Sequence, residues 1–213
     1  MQRRCLSNHI ETKIQRDETH THATLPHMSR RWLLGIPLLL AIQIAVLLAM
    51  GRPPICTCGT IRLWENSPLS PETSQQLFDW YTFSHIVHGF LFYGAIRLVF
   101  RSRVAVWPAL LIAMGVEIGW EILENTPWVI EAYRQQALAQ GYVGDSTINS
   151  VFDTFSMMAG FALARFIPIW ASVVAVLVLE LSAAYAIHDN LTLNVLNFIH
   201  PVDAITRWQS EIQ

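Results

Sequence analysis

Charge is scarce in this sequence. Of its 213 residues, 14% are Asp, Glu, Lys or Arg, against about 25% in an ordinary soluble domain. Neither sign is in useful excess, since 14 basic and 16 acidic side chains leave a net charge of -2 and a pI near 6.4. There is therefore no basic surface for nucleic acid, and no polyanion partner is implied. Several chemical signatures are also missing. The chain has no H-E-x-x-H of a zinc protease and no G-x-S-x-G nucleophile elbow. It also lacks the P-S-G-H string of membrane lipid phosphatases and the paired D-G and A-R pattern of phosphatidyl-alcohol transferases. Its apolar runs lack the two-residue alternation that a membrane β-barrel wall requires.

What the chain has instead is apolar length. Hydrophobic residues make up 53% of it and the mean hydropathy is +0.35. Crossing the hydrocarbon as a helix takes about 20 mostly apolar residues, and five windows meet this, at 31–50, 77–100, 104–124, 148–167 and 169–187. The expected fold is all-α, an integral membrane bundle of about five transmembrane helices. Lys and Arg are retained on the cytoplasmic side. With the N terminus inside, Arg3, Arg4, Lys13, Arg16, Arg30, Arg31, Arg97, Arg101, Arg103 and Arg165 fall in the cytoplasm, leaving Arg52, Arg62, Arg134 and Arg207 outside. That asymmetry predicts N terminus inside and C terminus outside.

Three regions follow: a disordered cytoplasmic tail over 1–27, a transmembrane domain over 28–190, and a periplasmic tail over 191–213. The tail is polar and aperiodic, and its His9, His20, His22 and His27 are too irregularly spaced to favour a metal tract. Met28, ahead of Ser29-Arg30-Arg31, is an equally good start. The first apolar window reads as an uncleaved signal anchor and little more. The following loop, broken by Pro53, Pro54, Pro68 and Pro71, holds Cys56-Thr57-Cys58. A disulfide, a soft metal or a bridge to a partner are all open there, although residues two apart close only a strained ring. Residues 128–143 read as a second outer loop with an exposed Glu131–Arg134 pair, and Phe198, Val202, Ile205 and Trp208 as one short amphipathic helix.

The polar residues inside the apolar windows carry the functional reading. The second window, entered from outside, holds Asp79 and then His85 and His88, which at i, i+3 share one helix face. The third ends in GVEIGWEILENTP, where Glu117, Glu121 and Glu124 recur at i, i+4, i+7 and so lie on one stripe. Asn125 follows, and Pro127 favours ending the helix nearby. Asp145, Asn149 and Asp153 form a comparable stripe at the start of the fourth window, where Asp145 or Ser146 can also serve as the N-cap. Glu180 in the fifth window is a further contributor, whereas His188 and Asp189 reach the interface. On this topology the residues of windows two to four occupy the same outer half of the membrane.

An aspartate at the membrane centre costs about 2.5–3.5 kcal/mol even on the mildest scales, so such acids are expected to face a cavity and serve function. Shared protons, a cationic ligand or a metal ion must neutralise them. By ligand type, His85, His88, Glu117, Glu121 and Asp153 suit Zn, Mn or Fe, with Glu124 or Asp145 free as general base and Asn125, Asn149 and Glu180 in support. The reading that follows is a metal-assisted hydrolase or transferase acting on a lipid or lipid-linked envelope precursor, with membrane lipids as partners. Two alternatives stand beside it: a binding or transport protein for a cation, proton or lipid head group, and a scaffold whose helices are knitted by hydrogen bonds.

The strings GRPPICTCGTIRLW, WYTFSHIVHGFLFY, EIGWEILENTPWVIEAYR and GYVGDSTINSVFD resemble an uncharacterised family of multi-pass bacterial inner-membrane proteins, a domain of unknown function. The likeness runs from about Ser29 to Tyr185 and implies localisation in the bacterial inner membrane, but no activity. The order of a histidine-bearing helix, a glutamate-rich helix and a D-x-x-x-N-x-x-x-D helix is more distantly similar to VanZ-like membrane families, which are linked to tolerance of glycopeptide and lipopeptide antibiotics. That likeness maps onto His85 or His88, Glu117 or Glu121, and Asp145 with Asn149. Thr82-Phe83-Ser84 stands where those families often place a D-K pair.

Overall fold

The computed structural model describes residues 30–101 and 103–212. The expectations for the tail over 1–27 lie outside the described residues. Eight helices follow in order: α1 (Arg30–Ala49), α2 (Thr82–Phe100), α3 (Val106–Glu124), α4 (Pro127–Arg134), α5 (Thr147–Phe166), α6 (Ile169–Ile187), α7 (Leu191–Ile199) and α8 (Asp203–Gln209). No strand is present among the described residues, only an isolated bridge between Trp64 and Phe78. Each of the five apolar windows contains one long helix. The second starts later than its apolar run because Asp79 holds a turn, accepting from the backbone N–H groups of Ser74 at 2.7 Å and Tyr81 at 2.8 Å.

Three of these helices, α2, α3 and α6, are long and apolar enough to cross a membrane. α1 contributes the shorter apolar stretch Leu34–Ala49, and α5 is diluted by a face carrying Asn149, Ser150, Asp153, Thr154 and Ser156. α6 buries only Ala183 and Ile187 and leaves Val173, Val174, Leu177, Val178 and Leu181 exposed. In water such a surface would be costly, at about 25 cal/mol per Å² of apolar area. In hydrocarbon it costs nothing.

The core lies where α2, α3 and α5 meet, around Ile96, Ala113, Met114, Ile118, Met157 and Phe161. Residue pairings ascend together in α2 and α5, from Thr82 with Asp153 to Tyr93 with Phe161, so these two helices run parallel. They descend against α3, from His85 with Glu121 to His88 with Glu117, so α3 runs antiparallel to both. α2 and α5 touch backbone to backbone. A Cβ on Gly89 would fall 2.1 Å from the Met157 carbonyl oxygen, and one on Gly160 would fall 2.1 Å from that of Ile86. Small residues at a crossing allow this approach and are typical of helix pairs packed in lipid.

α1 does more than anchor the chain. Its buried Gln43 donates to the Ser150 carbonyl at 3.0 Å and to Ser150 Oγ at 2.8 Å, and accepts from Thr154 Oγ1 at 3.1 Å. The connecting segments also differ from expectation. Residues 128–143 contain α4, started by a Thr126 cap with Pro127 in the first turn, where a missing N–H costs nothing. The C-terminal region is two helices, α7 and α8, with the break at His200–Val202 around Pro201. Cys56 and Cys58 are joined as a disulfide, which the ring-strain argument disfavoured.

Candidate metal centre

α2, α3 and α5 bring the two histidines and four of the predicted acids into one contiguous cluster, and Asp145 joins it from the turn before α5. Glu117 is fully buried and binds both imidazoles. Its Oε1 lies 2.7 Å from His85 Nδ1, and its Oε2 lies 3.0 Å from His88 Nδ1. A carboxylate can only accept, so both Nδ1 atoms donate to it and each ring keeps its Nε2 as the free nitrogen. This carboxylate–histidine arrangement orients imidazole ligands in metal sites. Glu117 thereby positions His85 and His88, and it also stands with them among the groups whose ligand atoms could share an ion.

His85 is the hub. Beyond Glu117, its Nδ1 lies 3.3 Å from Glu121 Oε1, and its Nε2 lies 3.8 Å from Asp153 Oδ2. Glu121 is 1% exposed. Its Oε2 accepts from Ser150 Oγ at 2.6 Å, while its Oε1 is buried with no hydrogen-bond partner. Asp153 Oδ1 lies 3.4 Å from Thr82 Oγ1. Three overlapping groups have ligand atoms close enough to share an ion: His85, His88 and Glu117; His85, Glu121 and Asp153; and Glu121, Glu124 and Asp145. No Lys or Arg of the described residues forms an ion pair with any of these acids.

Asp145 is held by a side chain the sequence placed next to it in role. Asn125 Nδ2 donates to Asp145 Oδ2 at 2.5 Å, and the Asp145 backbone N–H donates to Asn125 Oδ1 at 2.8 Å. Tyr142 adds its hydroxyl to Asp145 Oδ1 at 2.9 Å. Burial pushes the Asp145 carboxyl up to about 6, against the opposing pull of those two donors. The same burial, with the Asp145 charge nearby, raises the Tyr142 phenol well above its usual range. Asp145 is not the N-cap. Ser146 fills that role, accepting from the Asn149 N–H.

Two predicted residues lie outside the cluster. Asn149 donates to the Gln76 carbonyl at 2.9 Å; with Ser146 N bonded to Ser74 O and Thr147 N to Pro53 O, it ties the loop between α1 and α2 to the head of α5. Glu180 instead holds the first turn of α7, whose N-cap is Asn190, accepting from the backbone N–H groups of Leu191 at 3.2 Å and Thr192 at 3.1 Å and from Thr192 Oγ1 at 2.6 Å. An anion at a helix N-terminus needs no counter-cation, which answers its cost. His188 and Asp189 do not simply reach the interface. The His188 ring stacks on Trp208 at 4.4 Å, and buried Asp189 accepts from Tyr81 and Gln209. Ser150, Tyr142 and Tyr81 were not singled out from the sequence. Ser150 alone left a usable signal, lying one turn before Asp153 on the same face.

Two cavities meet at the cluster. One, of about 150 Å³, reaches from Leu69 and Pro71 in the loop before α2 and Tyr142 in the loop before α5 to His85, Asp145 and Asp153. The other, of about 320 Å³, is lined by Phe92, Val116, Trp120, Leu191 and Val195 beside His88. Tyr81, His85, Glu124, Tyr133 and Asn194 line both.

Comparison with known proteins follows the same segments. Residues 47–211 match the profile of a family described as "Protein of unknown function (DUF2585)". The chain belongs to that family. It is 49% identical over 179 residues to a UPF0314 protein of Sphingopyxis alaskensis, covering 84% of this chain and 94% of the relative. A UPF0314 protein of Rhizobium meliloti is 48% identical over 182 residues, covering 85% and 91%. No solved structure matches. The DUF2585 match takes in every residue of the cluster and leaves out nearly all of α1.

Proposed function

We infer that this DUF2585 protein is an inner-membrane enzyme with five membrane-crossing helices, N terminus inside and C terminus outside. It uses a divalent metal in its outer half to hydrolyse or transfer a group on a lipid or lipid-linked envelope precursor. The observation that carries this reading is the meeting, at His85 and Glu124, of a cavity of mixed polar and apolar lining with a largely apolar one. An amphiphile needs both environments, and the chemistry belongs at the junction of its head and tail.

His85, Glu121 and Asp153 would hold the ion, with Glu117 fixing His85 and His88. When bound, a Zn, Mn or Fe ion at such a site lowers the pKa of water and polarises a phosphoryl or acyl oxygen. Glu124 or Asp145 takes the proton from the attacking water or head-group hydroxyl. Oxygen bonds to phosphorus or carbon, the ester bond breaks, and the proton passes to the departing oxygen. A second reading, binding of a cation or head group without turnover, is favoured by one fact: Glu117 already shares its charge with two imidazoles. The test is incubation of metal-loaded protein in detergent with an envelope lipid extract, followed by mass spectrometry of the products. Metal-dependent release of a head group, lost in Asp153→Asn, supports the enzyme. Metal-loaded protein that retains a lipid but converts none supports the binding reading.

A further inference from the structure

We propose that the centre holds two divalent cations, bridged by Glu121. This rests on the metal reading above and deepens it. Two of the ligand groups in the cluster share only this residue: His85, Glu121 and Asp153 on one side, and Glu121, Glu124 and Asp145 on the other. Glu121 is 1% exposed, and its two oxygens are unequal. Oε2 is engaged by Ser150 Oγ, whereas Oε1 is sealed from solvent with no hydrogen-bond partner. A buried carboxylate oxygen without a donor forfeits more than an ordinary hydrogen bond, and a cation on that oxygen removes the cost. The Ser150 bond to Oε2 leaves that oxygen a second lone pair for the neighbouring position.

Charge balance supports the same count. Glu117 accepts from His85 and His88, and Glu121, Glu124, Asp145 and Asp153 have no Lys or Arg paired to them among the described residues. Beside neutral imidazoles, two divalent ions would offset most of the charge of these carboxylates, whereas one would leave the larger part of it buried at a high cost. The second position has its own supports. Asn125 and Tyr142 fix Asp145, and the Glu124 side chain makes no hydrogen bond among the described residues. Glu124 also lines both cavities, so an ion held there would stand where the head group meets the tail. Two ions about 3.5–4 Å apart would clamp the attacking and departing oxygens of a phosphoryl displacement. The chemical class of substrate best served is therefore a phosphate or pyrophosphate ester of a lipid. With Glu124 giving one oxygen to the ion, its other oxygen still accepts the proton.

The experiment is Mn(II) reloading of chelator-stripped protein in detergent, read by manganese per chain after desalting and by electron paramagnetic resonance. The parent is expected to retain two Mn(II) per chain with a spin-coupled signal. Glu124→Gln and Asp145→Asn should each retain one, uncoupled. Glu124→Gln disturbs no hydrogen bond, so its loss of one ion is not a folding effect. One uncoupled Mn(II) in the parent, unchanged by Glu124→Gln and lost in Asp153→Asn, would overturn the two-ion centre while leaving the single-metal enzyme intact. No Mn(II) in a folded parent would overturn both.

Discussion

Gly89 and Gly160 meet with no room for a side chain on either, and this contact places His85 beside Asp153. A methyl group on either glycine would lie 2.1 Å from a backbone oxygen of the facing helix, an obstacle that cannot rotate away. Overpacking by one methyl typically costs about 1–3 kcal/mol, and a backbone obstacle belongs at the upper end. Gly89→Ala and Gly160→Ala should each lower the thermal unfolding midpoint in detergent by several degrees. Gly94→Ala, which meets nothing within 4 Å, should leave it unchanged or raise it slightly. Equal midpoints for all three variants would refute the close crossing.

Glu117 serves two imidazoles with one carboxylate, so its amide is a demanding variant. Glu117→Gln keeps one acceptor oxygen and turns the other position into a donor, so only one histidine stays oriented. Loss of such an orienting partner typically weakens metal binding about 10–100-fold. Competition against a chelator of known affinity should show a loss in that range, with metal still bound at saturation. Unchanged affinity would place Glu117 outside the site's machinery.

Glu180 separates structure from site. Removing a side-chain acceptor from a helix N-terminus costs about 1 kcal/mol, so Glu180→Ala should loosen α7 and speed limited proteolysis near Leu191–Ile199 while leaving metal content as in the parent. A loss of metal would contradict the placement of Glu180 away from the cluster.

Asp189 provides a pH dependence outside the membrane-spanning helices. Burial pushes its carboxyl up to about 6 from an ordinary value of 3.8, despite donors from Asn190, Asn194 and Tyr81. Because the folded pKa is the higher one, the folded chain binds the proton more tightly. The Asp189 contribution is therefore greatest below about 3.8, declines as pH rises, and levels off above about 6. At about 1.4 kcal/mol per pK unit, the change is on the order of 3 kcal/mol. Thermal melts between pH 4 and 7 should fall more steeply for the parent than for Asp189→Asn. Parallel curves would count against a proton bound at Asp189.

The long helices and the cluster were legible in the sequence because both depend on local spacing. Twenty apolar residues read as a span, and Glu117, Glu121 and Glu124 share a stripe wherever the helix lies. Their common level in the bundle was legible too, since α3 runs antiparallel to α2 and α5 and so brings Glu121 level with His85 and Asp153. Partnership across helices was not. Glu180 and Asn149 fit the polar pattern as well as the true members do, and only the chain's return shows that α7 and the Gln76 carbonyl claim them. Nor does spacing tell a ligand from the residue that orients it, as Glu117 illustrates. The Gly89–Gly160 crossing left a trace in the two glycines, but the facing register that gives it meaning is tertiary.

A metal centre built on His85 stands or falls on metal content. Detergent-purified parent protein and the double variant His85→Ala, His88→Ala, both shown to be folded, would be compared by elemental mass spectrometry. Near-stoichiometric or greater Zn, Mn or Fe per chain is expected in the parent, with its loss in the variant. Parent protein that stays metal-free after reloading with divalent ions would contradict the metal centre, leaving the buried acids to share protons in a binding or scaffold protein.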